Sequence, residues 1–225
     1  DSEVEARTNV TIKMAHAAGE SATEVSSYMT AIWNNFADGS KELEYYGDVM
    51  ARLGAETAAS SAEIAEGLEK FASIGETVGL SYEYAAAAVA TVVDKTRQSA
   101  DTVGTAFKTI FARLQGLQLG ETLDDGTTLN KYSQALASVG ISIKDTNGNL
   151  KDANIILDEL GKKWQTLERD EQSALAQTVA GTRQYTQLMS LMNNYTDFKS
   201  NVLLAETSEG TLNEQADIYA QSWEG

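Results

Sequence analysis

A spacing of 39 residues organises the first half of this chain. Ser21, Ser60 and Ser99 fall at that interval, and the residues after each one match in type. Four positions on stand Val25, Ile64 and Val103; eight on, Met29, Leu68 and Phe107; eleven on, Ile32, Phe71 and Ile110. These offsets place the apolar side chains on one face of a helix, so three equivalent amphipathic helices are predicted. Ser21 and Ser60 are each followed three residues later by a glutamate, Glu24 and Glu63. That is the pattern of a capping box, in which serine and glutamate satisfy orphan amide donors at a helix start. Between the serines, Leu43, Glu44 and Tyr45 recur as Tyr82, Glu83 and Tyr84, and Val49, Met50 and Leu53 as Ala88, Val89 and Val92. Each unit therefore reads as two helices, the second starting near Ser40 and near Ser81, with Gly39, Gly54 and Gly79 as punctuation. A helix pair of this length cannot bury its apolar face alone, so neighbouring pairs are expected to stack.

Composition favours the same outcome. The 225 residues contain no proline, so nothing forces a helix to break. Cysteine is absent as well, which excludes disulfides and thiolate metal sites. Net charge is −16, with 15 acidic against 5 basic side chains over residues 1–90. Phosphate backbones are repelled by such a surface, so no stable nucleic-acid binding is expected. The one basic patch holds Lys95, Arg97, Lys108 and Arg113 without the interleaved aromatics that stack bases, and reads as a solvated helix face. The longest apolar run, 85–93, falls well short of the roughly 20 residues that cross a bilayer. With Asp1 in place of an initiator methionine, the sequence reads as a soluble piece of a longer protein.

In the second half, Ala106, Phe107, Ile110, Phe111, Leu114 and Leu117 continue a wide apolar stripe. A loop over 120–128 carries Asp124, Asp125 and Gly126, and a short helix over 129–139 is closed by Gly140. At 141–150 the period changes: Ile141 and Ile143 alternate with polar residues, and Asn147-Gly148 is a strong hairpin signal, so a small two-stranded β-hairpin is predicted. Asp152 and Asp170 begin the next two helices, and 182–223 reads as two or three more, separated near Asn194 and Gly210. The expected fold is mostly α: antiparallel helical hairpins in tandem, then a helical bundle with one β-hairpin near residues 141–151. Residues 1–118 form the repeat region and 119–225 a helical subdomain, or the two make one continuous domain. Trp33, Phe36, Phe71, Phe107, Phe111 and Trp164 are expected in the core, with Tyr28 and Tyr185 in the core or at an interface.

No catalytic, cofactor-binding or metal-ligating residue emerges. His16 is the single histidine, so any triad would have to recruit it and a zinc site would be left with carboxylates; it reads as a helix-surface residue. Asp145, Asn147 and Asn149 resemble the start of a calcium loop, but Leu150 stands where glycine belongs and Ile156 where the bidentate glutamate belongs. Gly161-Lys162-Lys163 lacks the upstream glycine of a phosphate loop. The pairs Asp158 and Glu159, and Asp124 and Asp125, are adjacent in sequence rather than set across a cleft. The chain reads as non-enzymatic.

Several blocks resemble the tail tape measure proteins of long-tailed bacteriophages. They are Tyr28 to Phe36 with the Tyr45 to Gly54 helix, Gly79 to Ala88 running on through Arg97 to Asp101, Val103 to Leu114, Asp158 to Gly161, and Val179 to Tyr185. Each alone is a packing pattern; their order, with the Asn-Gly turn between the third and fourth, is the more specific feature. The resemblance implies a structural protein of the virion tail, in the tube lumen or at the tip, present in the host cytoplasm during assembly. It also implies a ruler for tail tube length that takes part in DNA ejection. The partners implied are tail tube, tail-tip or baseplate and tail-assembly chaperone proteins, with homo-oligomers of the chain itself and no cofactor. Capped helices of ordinary length suit a folded module of such a ruler better than its stretched part. Two alternatives stand beside this reading: a helical-repeat adaptor for protein interaction, which the 39-residue period suits equally, and a cell-wall hydrolase module of a tail protein, which the absence of a His, Cys or carboxylate constellation argues against.

Overall fold

The computed structural model describes residues 2–114 and 127–223. Twelve helices account for most of them: α1 (Ser2–Ala18), α2 (Ala22–Phe36), α3 (Leu43–Glu56), α4 (Ser61–Thr77), α5 (Tyr82–Thr96), α6 (Ala100–Leu114), α7 (Thr127–Ser138), α8 (Ala153–Trp164), α9 (Arg169–Ala180), α10 (Tyr185–Asn193), α11 (Tyr195–Glu206) and α12 (Thr211–Trp223). The mostly α expectation holds. Ser21 and Ser60 cap α2 and α4 with complete capping boxes to Glu24 and Glu63. Ser81 caps α5 through the Tyr84 amide, and the Ser99 hydroxyl accepts from the Thr102 amide at the start of α6.

The nine repeat positions form the centre of the molecule. Val25, Ile64, Val103, Met29, Leu68, Phe107, Ile32, Phe71 and Ile110 are all at most 1% exposed. The helices that carry them lie side by side, with α4 packed on both α2 and α6. Helix α3 packs on α4 and α5, and α11 covers both α3 and α5. Every residue of α5 from 84 to 93 is buried, as a helix apolar all round requires. Phe71, Phe107 and Phe111 cluster with ring centroids 5.0–5.6 Å apart. One hydrophobic cluster runs from Val10 to Leu212.

Several sequence expectations require correction. The β-hairpin at 141–151 does not form. Among the described residues there is one isolated antiparallel bridge, between Lys144 and Leu150, and no strand. Side chains take the backbone groups that a ladder would need. Asp145 Oδ1 accepts from the amides of Asn147 and Asn149, and Ser142 Oγ accepts from the Lys144 amide. What remains is a tight turn with Gly148 at a φ of +83°, closed by the Asp145 amide on Asn149 O and the Lys151 amide on Ile143 O. Gly54 lies inside α3, where a Cβ would sit 2.8 Å from the Ser61 nitrogen, so it permits a close approach rather than ending a helix. The helix expected from Ser40 begins at Leu43 instead, behind Glu42, which makes no side-chain cap bond. Asp152 precedes α8 without a side-chain cap bond. Its carboxylate packs on Gly79, whose φ of +70° turns the chain between α4 and α5. Trp33, Phe71, Phe107, Phe111 and Trp164 are buried, while Phe36 is half-buried. Tyr28 is buried and Tyr185 packs at the edge of the core. The loop expected over 120–128 lies outside the described residues up to 126, with Thr127 already in α7.

Candidate functional site

Polar chemistry in this protein is concentrated where helices cross. Asp158, on α8, is met by three side chains from two other helices. Tyr84 of α5 donates to its Oδ2 at 2.6 Å and Tyr195 of α11 donates to its Oδ1 at 2.8 Å. Lys199, one turn beyond Tyr195, lies 3.2 Å from the same carboxylate and also bonds the Tyr84 hydroxyl. Gly161 leaves room for this arrangement, since a Cβ there would lie 2.2 Å from the Tyr195 ring. Desolvation first, and hydrogen bonding to Asp158 second, push both phenols well above their ordinary range. They act as neutral donors, and Lys199 balances the carboxylate. The cluster ties α5, α8 and α11 together and offers no activated nucleophile. Glu159 points into a different network, bonding Lys151 at 2.9 Å, so the adjacent carboxylates diverge.

A second built feature is Asp48 of α3, a carboxylate 4% exposed. Its two oxygens accept from the amides of Gly210 and Leu212 at 3.1 and 2.8 Å, so α3 supplies the cap for the start of α12. Burial raises the Asp48 carboxyl above the usual range; the two amides pull the other way, and the charges of Glu44 and Glu209 add to the rise. Glu44 is itself paired to Lys13 of α1 at 3.0 Å. A folded-state pKa above the unfolded one means that protonation favours the folded chain. The contribution of Asp48 to stability therefore grows as pH falls through its folded pKa and is smallest above it. Asp48→Asn, which does not titrate there, supplies the reference. Stability of the native chain relative to this variant rises as pH is lowered from neutrality, read from urea midpoints; a gap that shrinks overturns the assignment.

Two concave surfaces stand apart from these networks. A cleft of about 640 Å³ opens among the ends of α2 to α5, bordered by Asn34, Asp38, Glu76 and Glu83 over Phe36 and Tyr45. A groove of about 880 Å³ runs between α1 and α2, lined by Val4, Thr8, Ile12, Thr30 and Trp33. Its one charged lining residue is Arg7, stacked 5.3 Å over Trp33 and paired with Glu3. In so acidic a chain this groove has the low charge typical of the centre of a protein interface.

The residues singled out by sequence sit apart from one another. His16 is exposed and stacks on Tyr219 of α12, with centroids 5.6 Å apart. Lys95 pairs with Asp197, Arg97 donates to Ala58 O, and Arg113 donates to Val179 O, so three members of the basic patch are occupied by structural contacts. Asp124 and Asp125 lie outside the described residues. Among the described residues no group of three or more His, Cys, Asp or Glu side chains could hold a metal ion. No described helix is long and apolar enough to cross a membrane. Sequence reasoning missed the Asp158 cluster and the Asp48 cap. The one local trace of either is the i, i+4 spacing of Tyr195 and Lys199 on α11.

Comparison with known proteins gives a consistent picture. The family described as phage-related minor tail protein matches residues 1–181. The chain is 23% identical to a tape measure protein of Pneumococcus phage Dp-1, covering 92% of this chain and 17% of that protein. It is 24% identical to a probable tape measure protein of Escherichia phage P2, covering 99% of this chain and 26% of that protein. The chain thus spans 17% and 26% of the length of these two relatives. No solved structure matches it.

Proposed function

Because the chain belongs to the phage-related minor tail protein family, we propose that it is a folded module of a tape measure protein. In this reading it serves tail assembly, the setting of tail tube length and DNA ejection as a structural part and not as an enzyme. It works in the tail lumen or at the tip after assembly in the host cytoplasm. Its partners are tail tube, tip or baseplate and assembly-chaperone proteins, and further copies of itself. The observation that carries the reading is the family match over residues 1–181. Two features support it. The polar clusters join helices rather than open onto a cleft. The acidic surface would repel a genome passing through the same channel.

The continuous core from Val10 to Leu212 favours a compact module over a stretched one. An in-frame deletion of this segment in the parent phage, with tails measured by electron microscopy, tests the point. A stretched helix of this length would contribute roughly 340 Å at 1.5 Å per residue. The expected result is either no tails or tails of near-normal length that fail to infect. Tails shortened by roughly 340 Å would sink the folded-module reading and make the segment part of the ruler itself.

A further inference from the structure

Helix α12 is anchored at its first turn and, further out, by the stack of Tyr219 on His16. Its buried residues are confined to its first turn, Thr211 and Leu212, while the side chains described beyond them are half-buried or exposed. Ile218, near its outer end, is 61% exposed. Leu212 fills a notch on α3 and α1, where a Cβ on Gly47 would lie 2.7 Å from the leucine and 3.3 Å from Met14. The cap on that first turn comes from Asp48, which is 162 and 164 residues away from its two partners in sequence. The segment leading into α12 holds Gly210 at a φ of +88°, with open space where a Cβ would be.

Two groups at this joint are ill at ease in the docked state. The Asp48 carboxylate is desolvated, and the amides it accepts from offset only part of that cost. Beside the glycine, the Ser208 hydroxyl is fully buried and makes no hydrogen bond. When α12 moves away the Asp48 carboxylate regains water, and the Ser208 hydroxyl has no hydrogen bond to lose. The stability of a protein is not uniform, and elements with few buried contacts open at lower cost than the whole.

We propose that α12 is a hinged strap, turning at Gly210 and lifting from α1 and α3 as a unit while the remaining helices stay closed. Lifting uncovers the notch between Gly47 and Met14, a socket of the size of one leucine side chain. Native-state hydrogen exchange of the 225-residue chain tests this helix by helix. The expected result is that α12 amides exchange far ahead of those of α4 and α5. Asp48→Ala then speeds α12 exchange by about tenfold and leaves α4 and α5 unchanged. Gly210→Ala introduces strain only at the turn, and speeds α12 exchange in the same selective way. It decides the matter should the Asp48 variant fail to fold. Exchange of α12 in step with α4 and α5, in the native chain or in Gly210→Ala, would overturn the proposal.

Discussion

Replacing Trp164 by alanine is expected to lower the stability of the chain by about 3–5 kcal/mol. The side chain is fully buried at the end of α8, in line with Ile156, Leu157 and Leu160. Helix α8 packs on α6 and α10, and a void left in a close-packed core collapses only in part. The indole also donates to Asn193 Oδ1 at 2.7 Å, which fixes the end of α8 to the end of α10. Asn193→Ala separates the two effects. It leaves the ring in place with an orphaned donor and should cost less, about 1–3 kcal/mol. Urea unfolding of both variants checks the order. A loss below about 1 kcal/mol for Trp164→Ala would mean that the ring is not enclosed as described. Net stabilities are commonly about 5–15 kcal/mol, so a loss of this size removes a large share of the margin that keeps a domain folded.

Gly104→Ala on α6 is expected to destabilise the chain by about 1–3 kcal/mol, against the usual direction for a helix interior. Exchange of glycine for alanine within a helix ordinarily gains about 0.5–1 kcal/mol from backbone entropy. Here the added Cβ would lie 2.4 Å from the carbonyl oxygen of Gly67 and 3.0 Å from its Cα. These are backbone atoms of α4, which cannot turn aside as a side chain can. Helices α4 and α6 must separate, and the Phe71, Phe107 and Phe111 cluster between them loosens with them. Gly75→Ala on the same α4 is the control, because its new Cβ meets the half-buried Phe36 ring at 3.1 Å, a group able to shift. Thermal or urea midpoints should fall for Gly104→Ala and stay close to native for Gly75→Ala. Equal effects at the two positions would rule out close backbone approach as the cause.

Sequence alone located most of the helices and where most of them begin, though not α1, and marked the buried face on each of α2, α4 and α6. Capping boxes and i, i+4, i+7 stripes act within one or two turns, so Ser21 with Glu24 or Val25 with Met29 and Ile32 carries its own evidence. The same locality misled at 141–151, where Asn147-Gly148 signals a turn. Whether strands grow from it depends on the competition won by the Asp145 and Ser142 side chains. Only the tertiary structure decided which carboxylates meet which helices. Asp158 is 74 residues from Tyr84, and Asp48 is 164 from Leu212. Gly47, Gly67, Gly104 and Gly161 look like indifferent glycines in a helical sequence. Each is set by how near a second helix, brought from elsewhere in the chain, comes to its backbone. Short-range hydrogen bonding and periodicity are written along a chain; close approach and long-range charge pairing exist only once the helices have packed.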